Sequence, residues 1–196
     1  EASVSKLYNR IGSPGMTDAK FAFQFANAKT QQGPPAQRVY PSGTFDLFAG
    51  EQLVLVGRYK QAGAAKVVVR GRVGNEEKKF EFPAEFAAKT SDDSFAFAEK
   101  LWASRRVGEI LDQLDLNGRN EELVKELVQL STRHGILTPY TSFLADENTN
   151  LRDLAANSAT TELSLERLAE TDGLRGVAQR RAKAGYQRLS NESELR

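Results

Sequence analysis

The chain has no cysteine, one histidine, one tryptophan and one methionine among its 196 residues. Without cysteine there are no disulfides, no thiolate metal sites and no thiol nucleophile. A single histidine leaves no room for imidazole-rich metal centres. It also means that any Ser-His-Asp arrangement would have to use His134. Charge of one sign is missing too: 27 Lys+Arg stand against 26 Asp+Glu. That balance gives no electrostatic reason to expect nucleic acid or an acidic membrane as partner. No apolar run is long enough to span a bilayer, and the first residues lack the pattern of a signal peptide. No Gly-rich phosphate loop of the P-loop or GxGxxG spacing occurs. Glu1 is not an initiator Met, so the chain is expected to be a piece of a longer protein.

What is present is a long helical stretch from Phe95 to Leu144. Phe97, Leu101, Val107, Leu111 and Leu114 recur at helical spacing, and Trp102 widens the stripe. Asn117-Gly118 stops this helix, because Gly adopts a positive φ without steric penalty. Asn120 is placed to cap a second helix, with Glu121 and Glu122 at its positive end. Leu123, Val124, Leu127, Val128 and Leu130 form the second apolar face. His134-Gly135 closes it, and Pro139 blocks continuation into an extended exit. Each helix needs cover for its stripe, so the stretch predicts an αα-hairpin.

Strands precede it. Phe21, Phe23 and Phe25 at period two predict a strand from Lys20 to Phe25, after a stop at Gly12-Ser13-Pro14-Gly15. Arg38–Tyr40, Gln52–Tyr59, Lys66–Val73 and Lys78–Phe82 read as further strands, the last two joined by a Gly74-Asn75 hairpin turn. Pro83 is expected to limit further central pairing, and Phe45–Gly50 reads as a loop plugging a core. The fold class expected is α+β: an antiparallel β-sandwich, whole or incomplete, followed by the αα-hairpin and a helical tail. In the tail, helices are expected over Thr161–Glu170 and Leu174–Leu189, beyond a polar connection.

The run Leu101-Trp102-Ala103, Arg105-Arg106-Val107-Gly108, Leu111-Asp112, Leu116-Asn117-Gly118 and His134 to Phe143 carries a resemblance. It closely resembles the segment that follows the von Willebrand A domain in inter-alpha-trypsin inhibitor heavy chains and in bacterial vault/inter-alpha-trypsin (VIT) domain proteins. Leu7–Asp18 and Phe45–Tyr59 resemble the same proteins in the same order, so the resemblance covers Val4 to Glu147. Gly15 departs from it, standing where a bulkier apolar residue is expected, and neither a full VIT domain nor an A domain is contained in these 196 residues ahead of the motifs.

The layout expected is an exit segment from an A domain (1–16), the sandwich (17–90), the αα-hairpin with its exit (91–145), and a polar linker with C-terminal helices (146–196). The resemblance implies a non-catalytic scaffold beside an A domain in an exported protein, acting in adhesion or assembly outside the cytoplasm or at the cell surface. Its partners would be the A and VIT domains of its own chain and extracellular proteins. No cofactor is expected. A sheet lacking upstream strands is also expected to self-associate, by edge pairing or exchange of its N-terminal segment; the competing expectation is that Gln31–Tyr40 folds over the gap.

No catalytic or metal-ligating residue is expected, and each candidate has a structural reading. His134 sits in a last helical turn, where a cation offsets the dipole. Asp146-x-Asn148-x-Asn150 begins like a calcium loop, but Leu151 stands where Gly is needed and Asn157 where a bidentate Glu is needed. A solvated turn is the better reading. Ser91-Asp92-Asp93-Ser94 only imitates the Asp-x-Ser-x-Ser adhesion motif and fits better as the cap of the first long helix. Arg105-Arg106 reads as a solvated or ion-paired edge with Glu109, and Trp102 as core rather than as an exposed anchor. The rival class is a hydrolase using carboxylates such as Asp46 or Asp112 in a cleft.

Overall fold

A computed structural model of the chain describes residues 14–26, 35–48, 52–89, 95–169, 181 and 185–186. The expected exit segment before Pro14, the cap Ser91-Asp92-Asp93-Ser94 and most of the helix expected over Leu174–Leu189 lie outside them. The fold class is α+β: antiparallel strands come first and helices follow. The chain divides into two units, Glu1–Asp93 and Ser94–Arg196.

In the first unit the described residues form six strands: β1 (Pro14–Phe25), β2 (Ala36–Tyr40), β3 (Phe45–Phe48), β4 (Val56–Tyr59), β5 (Gly63–Val73) and β6 (Glu76–Phe86). A four-stranded antiparallel sheet has the order β3-β1-β5-β6, and β2 pairs with β4 in a separate ribbon. Several expected boundaries move. β1 begins at Pro14 rather than Lys20, because register shifts on either side of Met16 let an irregular stretch keep pairing with β3. Asp18 adopts φ 53° there, and its N–H donates to Asp46 Oδ1 at 3.1 Å. The extra residues break the period of two, so Met16 and Ala19, three apart, both reach the core beside Val69. Phe45–Phe48 is not a loop but the edge strand β3. Its apolar residues do plug the core, as Phe45 stacks on Phe21 with centroids 4.8 Å apart. Only Val56–Tyr59 of the expected strand from Gln52 joins a ladder.

Gly74-Asn75 makes the β5–β6 turn with Gly74 at φ +61°, and Val73 faces Glu76 across it. A two-residue hairpin bonds its flanking pair, so even-numbered residues of β6 bond to β5 and odd-numbered ones turn N–H and C=O outward. This moves the expected strand end from Phe82, while Pro83 keeps to an edge as a limit on central pairing requires. β6 runs through it to Phe86, because Pro83 is an odd position on an edge strand, where a missing N–H removes no ladder bond.

Side chains sort by the same parity. Phe21-Val69-Phe80 and Phe23-Val67-Phe82 form cross-strand rows on one face. Lys66, Glu81 and Lys79 share the other, with Lys66 Nζ 3.1 Å from Glu81 Oε2. The ribbon meets one end of the apolar face, where Tyr59 packs edge-on against Phe86 and donates its hydroxyl to the Ala87 carbonyl at 2.6 Å.

Gly71 of β5 is where the core comes closest to backbone. A Cβ there would lie 2.7 Å from Met16 Cγ and 2.8 Å from the Thr17 carbonyl oxygen. Met16 can swing away, but the carbonyl belongs to the β1 bulge and cannot. Gly71→Ala is expected to cost about 1–3 kcal/mol, the usual range for overpacking. Urea unfolding checks this; an unchanged midpoint would show that the bulge yields freely.

In the second unit, α1 (Ala96–Asn117) leads through Gly118 to α2 (Glu121–His134), followed by a 3-10 turn (Ser142–Ala145) and α3 (Leu154–Ala169). Asn120 caps α2 as expected, its Oδ1 accepting from Leu123 N at 3.0 Å. Gly135 closes it in the left-handed region and donates to the Ser131 carbonyl. Phe95 occupies the cap position of α1 and makes no side-chain cap bond.

The exit is not extended. Thr138–Thr141 forms a turn and Ile136, Tyr140 and Leu144 are buried. The polar connection is also shorter than expected. α3 starts at Leu154, with the Asp153 carboxylate accepting from Ala156 N at 3.0 Å. Among its described side chains, Asn157, Ser158 and Thr161 are buried. The Thr161 hydroxyl donates to the Asn157 carbonyl of its own helix at 2.9 Å, which lowers the cost of burying that polar side chain.

Candidate functional site

The richest polar constellation in the described residues lies between α1 and α2. Residues Leu101 to Gly108 are buried without a break, so α1 is covered around its whole circumference and not along a stripe. Arg105 and Arg106 are buried with it, which excludes the solvated-edge reading, and Arg106 is ion-paired. Arg106 reaches across to α2. Its Nε and Nη2 donate to the two carboxylate oxygens of Glu126 at 3.0 and 2.6 Å, and Nη1 donates to Glu109 Oε2 at 2.7 Å. Glu126 therefore holds the guanidinium in a bidentate fork, and Glu109 accepts a third bond from it. The arrangement fixes the rotation of α1 against α2. Trp102 is 6% exposed and belongs to the core, as the sequence implied.

A second cluster went unnoticed in the sequence: Ser131, Thr138 and Thr141, all buried. Thr138 N donates to Thr141 Oγ1 at 3.0 Å, Tyr140 N donates to Thr138 Oγ1 at 3.2 Å, and the two threonine hydroxyls are 2.9 Å apart. Ser131 Oγ on α2 lies 3.3 Å from Thr141 Oγ1. These hydroxyls replace the bonds that Pro139 and the turn deny the backbone, and they lock the exit onto α2. The only signal available was Thr138-Pro139-Tyr140-Thr141, which proposes a turn without saying what it docks on.

His134 ends α2 with its Nε2 4.0 Å from Glu99 Oε1. Burial pushes its pKa below the ordinary histidine value, and the opposing pull of Glu99 is smaller. The imidazole is thus mostly neutral at pH 7 and does not supply the expected cation. Arg133, paired with Glu99 at 2.9 Å, supplies it in the same turn.

Asp46 is exposed on β3 in the first unit; Asp112 is half-buried on α1 in the second. Among the described residues no group of three or more His, Asp or Glu side chains is placed to hold a metal ion. Asp146 Oδ1 accepts from both the backbone N–H and the side-chain amide of Asn148, at 2.9 and 3.0 Å. Asn150 Oδ1 accepts from Arg152 N at 3.1 Å, and its carbonyl accepts from Asn157 Nδ2 at 2.9 Å. Asp146 Oδ1 and Asn150 Oδ1 are thus each engaged by the backbone N–H two residues on, as in Asx-turns. Titration with calcium, magnesium or zinc is accordingly expected to show no site tighter than about millimolar. A micromolar isotherm abolished by Asp146→Ala would contradict this.

Among the described residues, no helix is long and apolar enough to cross a membrane. No family model matches the chain, and no solved structure matches it with significance. Curated relatives do. Inter-alpha-trypsin inhibitor heavy chain H2 of Mesocricetus auratus is 21% identical over 168 residues, covering 80% of this chain and 17% of the relative. The Sus scrofa protein of the same name is 22% identical over 156 residues, covering 74% and 16%. The chain spans about a sixth of the length of these relatives, and over most of its own length it is distantly homologous to inter-alpha-trypsin inhibitor heavy chain H2.

Proposed function

We propose that this chain is a non-catalytic scaffold flanking a von Willebrand A domain in an exported VIT-type protein, serving adhesion or assembly outside the cytoplasm. One observation carries the reading. The residues through which the chain resembles heavy chains are mostly packing residues: Leu101, Trp102, Arg106, Val107 and Leu111 of α1, and Ile136, Thr138, Tyr140 and Thr141 of the exit, are all buried. A shared interior built on a locked hairpin suits a support. The alternative is a hydrolase using a carboxylate pair, with residues such as Asp46 or Asp112, in an unrecognised cleft. The partners on this reading are the neighbouring A and VIT domains of the same chain and extracellular proteins.

The test is the reading frame upstream of Glu1. An in-frame A domain carrying Asp-x-Ser-x-Ser after a strand is expected directly before this segment. An unrelated upstream domain, or a start codon at this point, would overturn the proposal.

A further inference from the structure

We propose that two copies of this chain join along the outer edge of β6, antiparallel, with Phe80 opposite Phe80 of the second copy. β6 is the long edge of the main sheet: eleven residues, against four for β3 at the other side. Among the described residues, no strand pairs with its outer side. Phe80 and Phe82, 44% and 52% exposed, carry the Phe21-Val69 and Phe23-Val67 rows out to this edge. An apolar sheet face that continues to an unpaired ladder is a template for another strand.

The partner is argued from the charges along β6, which reads Glu-Glu-Lys-Lys-Phe-Glu-Phe-Pro from Glu76 to Pro83. A two-fold axis normal to the sheet must place some residue opposite itself, since facing side chains share a face. Centring on Phe80 sets Lys79 opposite Glu81 of the second copy, and Glu81 opposite its Lys79. Centring on Lys79 or Glu81 sets like charges face to face, which is destabilising. Centring on Phe82 puts Pro83 in the middle of the new ladder, where its missing N–H removes bonds. With Phe80 at the centre, the outward-facing positions Lys79 and Glu81 exchange full pairs of backbone bonds, and Pro83 falls at the periphery. Glu81 stays charged throughout: bonds from Lys79 and Lys66 hold its pKa to about 2. The contact is short, below the roughly 1,200 Å² of a stable interface, so the dimer is expected to be weak and reversible.

The chain has no cysteine, which permits a direct test. At the proposed centre the two Phe80 positions form a pair that is not hydrogen-bonded, with Cα atoms about 4.5 Å apart, within disulfide reach. The two Phe82 positions are displaced by four residues, about 13 Å along the strand, and out of reach. Under mild oxidation Phe80→Cys is expected to cross-link at least tenfold faster than Phe82→Cys. In sedimentation equilibrium, Lys79→Glu should weaken dimerisation at least tenfold, and adding Glu81→Lys should restore it. A monomeric mass throughout a concentration series would overturn the proposal. So would equal cross-linking at both positions, or a charge-swapped double variant no better than Lys79→Glu alone.

Discussion

Leu111→Ala or Leu127→Ala will each destabilise the helical unit by about 2–5 kcal/mol, the range for truncating a fully buried leucine. Leu111 on α1 is 2% exposed and Leu127 on α2 is 0% exposed. Both cavities would open in the interior of a helix pair that has few ways to collapse, since α1 is enclosed on every side between Leu101 and Gly108. For a unit of this size the loss corresponds to a melting shift of at least ~8 °C. Leu116 is the internal control. It is an apolar residue of the same helix but 83% exposed, and Leu116→Ala should stay within about 0.5 kcal/mol of the parent. If the Leu111 and Leu127 variants melt within a degree of the parent, the two helices are not packed as described.

Arg106→Met is expected to have an effect of similar size from the opposite kind of chemistry. The guanidinium side chain is 8% exposed and is held by Glu126, 22% exposed, and by Glu109, 34% exposed. Removing it alone leaves the Glu126 carboxylate facing a desolvated gap. Breaking a buried pair in this way costs about 3–5 kcal/mol, and the partial exposure of both carboxylates places this site near the lower end. The loss should be largely recovered by changing the partner as well. Arg106→Met with Glu126→Leu removes that carboxylate as well and fills the space with apolar volume, and such replacements are often neutral. Guanidinium unfolding of the single and double variants separates the two effects. A double variant as unstable as Arg106→Met would mean that the ion pair itself, rather than the carboxylate deprived of its guanidinium, accounts for the loss.

The sequence revealed features that depend on a few neighbouring residues. Gly74-Asn75, Asn120 and Gly135 each did what their chemistry dictates, because a turn or a cap is decided within about four residues. The apolar spacing of α1 and α2 was likewise legible. What stayed hidden depends on partners distant in sequence. The bulge around Asp18 exists because Asp46 of β3 receives its N–H, and no pattern within β1 announces it. Pro83 stops a central strand but not an edge strand with its parity, and edge status is a property of the whole sheet. Among the described side chains of α3 the buried ones are Asn157, Ser158 and Thr161, and the first two read as linker until their neighbours are known. The same holds for the candidate site. Arg105 and Arg106 were visible as a pair, but their burial follows from the enclosure of α1, and Glu126 as partner follows from how α2 lies beside it.

A support must be rigid, so native-state amide hydrogen exchange is the most direct measure of the scaffold account. The amides of Leu101–Leu114 in α1 and Val124–Ser131 in α2 should exchange only through global unfolding of their unit. Those of Thr138–Thr141, locked by the hydroxyl cluster, should be nearly as slow. Exchange of α1 and α2 through local opening, with Thr138–Thr141 unprotected, would show a pliable hairpin and an undocked exit, and the account of this segment as a scaffold would fail.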